Sequence, residues 1–216
     1  MTKLIGIVSY LPTELRVREH RKEKLFELLS TCNKLFNLNI YIEAQCWTES
    51  EISLTKRYFP NVVINNHSEK LGIVGARRAL REYFLNSSYD VLIMLDDDCE
   101  IHGKPTDAER YLSQIDSNPN MFYEFTGTLL KLFAISKDIF AKVDYEDVNP
   151  EKEEGFEDRV FVNKLRVLFP TCRYTFNKFG LYETSISTKD TYSTWYTNQD
   201  IKKMVDKTLE IQENIK

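Results

Sequence analysis

Val91-Leu92-Ile93-Met94-Leu95-Asp96-Asp97-Asp98 is the stretch that decides how this chain is read. Five consecutive apolar residues without alternation predict a strand buried on both faces. The run stops on three adjacent carboxylates, which repel one another and cannot be packing residues. In an open α/β sheet, ligands bind at the carboxyl ends of the strands. A divalent cation relieves such crowding, and hard cations of the Mg²⁺ type take one or two carboxylates together with substrate phosphates. The stretch therefore predicts a metal–phosphate site at the end of a central strand. A solvated acidic loop would explain the charges but not the buried strand leading into them.

Working outward, strands alternate with helices. Residues 4–9 are apolar and β-branched and read as a first strand, broken by Pro12. Residues 14–29 place Val17, Leu25, Leu28 and Leu29 among charges, as a helix does. Residues 38–44 predict a second strand, 50–59 a short helix ended by Pro60, 62–64 a third strand, and 72–85 a helix. Strands alternating with helices predict an α/β fold with a mostly parallel sheet and helices on both faces. The second half is less regular. Helices are expected at 104–115, 137–143 and 156–168, strands within 121–135 and 173–182, and an amphipathic helix at 201–215 with Met204, Val205, Leu209 and Ile211 on its apolar side.

At 216 residues the chain suits one large domain, and 42% hydrophobic content supports a sizeable core. A net charge of −4 excludes a general attraction to nucleic acid or anionic membrane. Cys32, Cys46, Cys99 and Cys172 form no C-x-x-C pair and match no zinc or disulfide pattern, so reduced thiols in the cytoplasm are expected. The opening Met1-Thr2-Lys3-Leu4-Ile5-Gly6-Ile7-Val8 reads as a strand rather than a signal peptide, and no apolar run approaches a membrane span.

Two further stretches carry chemistry. Lys70-Leu71-Gly72-Ile73-Val74-Gly75-Ala76-Arg77-Arg78 joins the third strand to a helix, and its glycines, basic residues and helix start suit a phosphate. It lacks the G-K-[ST] of a Walker A loop. An exposed helix-start arginine is the ordinary alternative for Arg77. Gly155-Phe156-Glu157-Asp158-Arg159 opens the helix at 156–168. Acids at a helix start are ordinary dipole partners. With a metal–phosphate site upstream, however, one of them is a candidate base for an acceptor hydroxyl.

Taken together and in this order, these residues resemble the GT-A-fold glycosyltransferases of the broad family-2 type. Gly75-Ala76-Arg77-Arg78 resembles the family's G-x-A-R-N helix start, with Arg78 where Asn is usual. Leu95-Asp96-Asp97-Asp98 resembles its D-x-D strand end, and Phe133 to Phe140 followed by Gly155-Phe156-Glu157-Asp158 resembles its second half. The resemblance implies a single GT-A (Rossmann-like) domain over 1–216. Residues 1–100 would be the nucleotide-sugar-binding half, 101–190 the acceptor and catalytic half, and 191–216 a C-terminal helix. It implies a metal-dependent, hexosyltransferase-type enzyme that uses a nucleotide-diphospho-sugar and Mn²⁺ or Mg²⁺, inverting, with no membrane span. Asp98 and Asp96 would hold the metal, with Asp96 or Asp97 also reaching the ribose. Arg77 would touch the donor, Lys70 would lie beside it, and Ser9, Tyr10 and Glu43 would line the nucleoside pocket. Asp158 would be the catalytic base, with Glu157 as second choice.

The chain departs from the pattern in places. The second strand ends Tyr41-Ile42-Glu43-Ala44-Gln45 rather than in an Asp-x-x-Ser form, and no Q-x-x-R-W follows the Glu-Asp pair. The latter speaks against a processive synthase. No histidine lies in the last third, and His102 reads as a loop residue. Aromatics at 121–125 and 192–196 could stack on sugars or fill core. Two rivals share these features: a sugar-phosphate nucleotidyltransferase, and a non-catalytic nucleotide-sugar-binding module. The first usually carries a basic Gly-rich loop after strand one, where this chain has Leu11-Pro12-Thr13-Glu14. The acceptor could be a glycan, a protein, a lipid-linked sugar or a modified nucleic acid.

Overall fold

The structure, a computed structural model, describes residues 1–118, 122–124, 132–146, 157–170, 173–175 and 182–185. The elements in order are β1 (Lys3–Tyr10), α1 (Leu15–Leu35), β2 (Asn39–Gln45), α2 (Glu49–Tyr58), β3 (Val62–His67), α3 (Gly72–Asn86), β4 (Val91–Asp96), β5 (Cys99–His102), α4 (Pro105–Ser117), β6 (Phe122–Glu124), β7 (Leu132–Ser136), α5 (Lys137–Phe140), α6 (Glu157–Leu168), β8 (Arg173–Thr175) and β9 (Tyr182–Ser185). Seven strands form one sheet in the order β3-β2-β1-β4-β7-β6-β8. The β3-β2-β1-β4 half is parallel, and β7 runs antiparallel to both β4 and β6. The expected α/β architecture with a mostly parallel sheet is therefore present. The chain winds one way from β1 to β3 and then crosses to the other side at β4. Its topological switch point lies between the carboxyl ends of β1 and β4.

Two cores explain the unbroken apolar strands. Ile5, Ile7, Ile93 and Leu95 face the side covered by α1 and α4, while Leu4, Val8, Leu92 and Met94 face the side covered by α3, α5 and α6. On α1, Leu25, Leu28, Leu29, Cys32 and Leu35 form the buried stripe at helical spacing. Gly6 sits under α3. A Cβ there would lie 2.7 Å from Leu92 Cδ1 and 2.8 Å from Leu80 Cδ1, so its bare backbone lets the helix close on the sheet.

At the sheet's carboxyl edge the starts of α2 and α3 are fixed in different ways. Thr48 and Glu51 cap α2 reciprocally. The first turn of α3 is met from the sheet instead: the Leu71 N–H donates to Gln45 Oε1 at the end of β2 (2.7 Å). Arg18 ties the loops together. It donates to both carboxylate oxygens of Glu51 and to the carbonyls of Leu11, Pro12 and Cys46.

Two expectations change. The acidic triplet is followed by a strand, β5, so His102 is a strand residue and not a loop residue; it lies 3.6 Å from Glu100. The single strand expected at 173–182 is two strands in different sheets, β8 beside β6 and β9 antiparallel to β5. A run of β-formers signals extended backbone but not where it changes partner. The helix expected at 201–215 lies outside the described residues, as do Phe156 and the aromatics at 192–196. Among the described residues, Cys32, Cys46 and Cys99 are free thiols, and no helix is long and apolar enough to cross a membrane. Burial pushes the Cys32 thiol up to about 12.

Candidate active site

The end of β4 and the turn that follows it separate the three carboxylates. Asp96 stands opposite Val8 of β1 and follows Leu92 and Met94 onto the α3/α6 side. Asp97 turns the other way and is buried. Its Oδ2 accepts from the Ser9 hydroxyl (2.7 Å) and the Tyr10 N–H (3.3 Å), and its Oδ1 lies 3.6 Å from Arg21 Nη1 of α1. Burial raises its pKa to about 6, with Asp98 and Asp96 adding to the rise against Arg21 and Ser9. Asp97 thus pins the end of β1 to α1. Asp98, half-buried, lies in the turn before β5. Ser9 is 1% exposed and spent on Asp97.

Arg77 is the centre of the site. The ordinary alternative for Arg77, an exposed helix-start cation, does not hold: the side chain is buried, at 3% exposure. Its position in α3 faces the sheet, one turn before Leu80 on the same stripe. Nη2 donates to both oxygens of Asp96 (3.1 Å each), and Nη1 donates to Glu157 Oε1 at the start of α6 (2.9 Å). Beneath it lies the Tyr145 ring, 5.4 Å from the guanidinium carbon; that ring stacks on Phe161 of α6 at 4.4 Å. Burial opposes the charge on Arg77, but Asp96, Glu157 and Asp158 outweigh it and hold the pKa above the ordinary arginine value. Three negative charges surround one positive charge. Arg78, at the position where the resemblance has Asn, donates to the Tyr145 carbonyl from Nε (2.9 Å) and Nη2 (2.5 Å). It fastens the segment that carries the ring.

Glu157 and Asp158 therefore differ. Glu157 is buried and bound to Arg77, whereas Asp158, the next residue, is half-buried and contributes to the field at Arg77. The α6 start sets Glu157 against Arg77, which also holds Asp96 at the end of β4.

On the far side of the switch point, Lys70 Nζ sits 5.0 Å above the Tyr10 ring. Glu43 is 0% exposed. It accepts from the Tyr41 hydroxyl and from Asn65 Nδ2 (both 2.9 Å), and His67 Nε2 is in close contact with it. A nucleoside at this edge would meet Asn65 and His67 before it met Glu43. Neither was singled out in the sequence, nor were Gln45, Arg21 and Tyr145. Asn65 and His67 stand opposite Glu43 and Gln45 in the β2–β3 register. Extending the third strand beyond residue 64 would have revealed them.

Among the described residues, no group of three or more His, Cys, Asp and Glu side chains is arranged to hold a metal ion. A Mg²⁺ or Mn²⁺ ion bound by one or two carboxylates and a diphosphate needs no such group. The donor set fits that mode. Asp96 is 17% exposed, Asp98 is two residues away and half-buried, and the local charge excess is negative.

No family model matches the chain, and no curated protein matches it. Solved structures do. The S. aureus TarS 1-349 structure in complex with UDP-GlcNAc has a TM-score of 0.71 at 12% identity, covering 100% of this chain and 69% of that one. In another structure of TarS 1-349 the match spans 60% of that protein's chain. The mannosyltransferase PcManGT from Pyrobaculum calidifontis, in complex with GDP-Man and Mn²⁺, has a TM-score of 0.62 at 10% identity, with 87% and 58% coverage. A CMP:2-keto-3-deoxy-manno-octonic acid synthetase complexed with CTP scores 0.52 at 10% identity, with 82% and 89% coverage. These likenesses place the chain in the GT-A-like, Rossmann-like α/β fold.

Proposed function

We propose that this chain of GT-A-like fold is a metal-dependent, hexosyl-type glycosyltransferase that moves a sugar from a nucleotide-diphospho-sugar to an acceptor hydroxyl with inversion. The observation that carries the reading is the meeting, at the carboxyl end of β4, of Asp96 with Glu157 of α6 through Arg77. Asp98 and Asp96 would hold Mn²⁺ or Mg²⁺, which neutralises the charge on the departing diphosphate. Lys70 and the start of α3 lie on the same rim and suit its phosphates. Tyr10, with Asn65 and His67, would flank the nucleoside. Arg77 reaches the donor through Asp96. Asp158 takes the proton of the acceptor hydroxyl as its oxygen attacks the anomeric carbon and the bond to the diphosphate oxygen breaks. A single displacement inverts that carbon. In this reading 1–216 is one domain, with the donor half at 1–100, the acceptor half at 101–190 and a terminal helix at 191–216. The free thiols suit the cytoplasm.

The likeness to a CTP-complexed synthetase favours one rival, nucleotidyl transfer to a sugar acid or sugar phosphate. Calorimetry with UDP, GDP and CDP, with and without Mn²⁺, followed by hydrolysis of the matching nucleotide sugars, separates the readings. Metal-dependent binding of a diphosphate and slow release of free sugar support the transferase. Pyrophosphate release from a nucleoside triphosphate and a sugar phosphate replaces it with the synthetase. Binding without turnover of either kind leaves a binding module.

A further inference from the structure

Glu157 and Asp158 are adjacent acids at a helix start, and the two have different surroundings. Glu157 is spent on a buried cation held at its other end by Asp96, on a strand of the opposite half of the chain. We infer that Arg77 and Glu157 are a positioning pair: the forked guanidinium sets the α6 start, and with it Asp158, against the Asp96 strand end. The inference rests on the transferase reading for its kinetic consequence, but the bridge itself does not.

The geometry supports a device and not merely a contact. Arg77 joins residues 19 and 80 positions away in sequence, with its two η nitrogens used on different partners. Only a planar fork does this; a lysine carries its charge at one point and cannot span both. The guanidinium lies over Tyr145, which stacks on Phe161 one turn into α6, and the Tyr145 hydroxyl donates to Met94 Sδ of β4 (3.4 Å). The same helix start is thus tied to the same strand by a polar and an aromatic link. Arg77 Nε is buried without a partner, so the orientation is chosen for the two η contacts. Residues that act by placing a reacting group change turnover more than affinity, and a misplacement of about 1 Å costs about 10²-fold in rate.

The test is a double-mutant cycle of Glu157→Gln and Arg77→Met, read in two ways. Turnover of the donor identified by calorimetry should fall about 10²-fold in Glu157→Gln, with UDP–Mn²⁺ or GDP–Mn²⁺ affinity within a few-fold of the parent. In the Arg77→Met background, Glu157→Gln should lower turnover no further. A full further loss would make Glu157 itself the base and overturn the inference. The melting temperature provides the second reading, which needs no activity. Arg77→Met leaves Glu157 buried and unpaired, and adding Glu157→Gln should restore part of the lost stability. Additive melting effects overturn the bridge. Arg77→Lys, which keeps the charge, should show the turnover loss of Arg77→Met; full rescue by Lys overturns the fork. If the parent turns over no donor while the melting cycle shows recovery, the transferase reading fails and the bridge stands.

Discussion

At the scale of single residues, the end of β4 and the turn after it give three identical side chains different surroundings. Asp97 is an anchor, and its pH behaviour follows from its burial. Its folded pKa of about 6 lies above the unfolded value, so the folded protein holds a proton that the unfolded chain releases between pH ~4 and ~6. The stability linked to this group is complete below pH ~4 and is lost as pH rises through ~6, on the order of 3 kcal/mol. Without divalent metal, the melting temperature of the parent relative to Asp97→Asn should fall from pH 4 to pH 7; a constant difference refutes it. Asp98 is the proposed metal ligand. Asp98→Ala should abolish Mn²⁺-dependent nucleotide binding in a folded protein, and calorimetry showing unchanged affinity with metal present refutes that. If Asp158 is the base, as proposed, Asp158→Asn keeps shape but removes the proton acceptor, so turnover should drop about 10²–10⁴-fold while donor affinity holds. Survival of turnover within a few-fold would move the base elsewhere.

At the scale of elements, α3 brings the most to the site, and it is held by what lies under and before it. Gln45 receives its first N–H, Gly6 lets it approach β1 and β4, and Arg78 and Arg81 donate to the carbonyls of Tyr145, Phe140 and Ala141. Gly6→Ala tests the approach. Its Cβ would press on Leu80 and Leu92, both 0% exposed, and overpacking of this kind costs about 1–3 kcal/mol. The urea midpoint should fall with an unchanged m-value. A midpoint equal to the parent's would show that the two leucines yield freely.

At the scale of the whole molecule, β4, α3 and α6 meet over an excess of negative charge around Arg77, and the proposed ligand would complete it. Binding to the folded state alone stabilises by mass action, about 2.7 kcal/mol at a hundred times the dissociation constant. For a protein of this length that corresponds to a rise in melting temperature of about 5–10 °C. On the proposed reading, nucleoside diphosphate with Mn²⁺ should produce this rise and either alone should produce less, because carboxylates and phosphates would each supply part of the metal's shell. Equal shifts with and without Mn²⁺ would mean that the diphosphate binds on basic residues alone.

The strands of the first half, the two-sided burial of β4 and the position of the acids at its end could all be read from the chain, but the order of those strands in the sheet could not. They are local consequences of apolar run length and of where that run stops. The Glu157-Asp158 pair was visible for the same reason, as acids opening an amphipathic helix. The division of labour within each group was not. Which acid of Asp96, Asp97 and Asp98 turns inward depends on what covers each face of β4, and Ser9 and Arg21 lie some eighty residues upstream. Arg77 reads as an exposed helix-start cation until α6 is laid against α3. Its burial is the sum of two contacts, 19 and 80 residues distant. Periodicity reports which side of an element is apolar. It does not report which distant charge will sit opposite, because that pairing exists only once the sheet has closed and desolvation has made it matter.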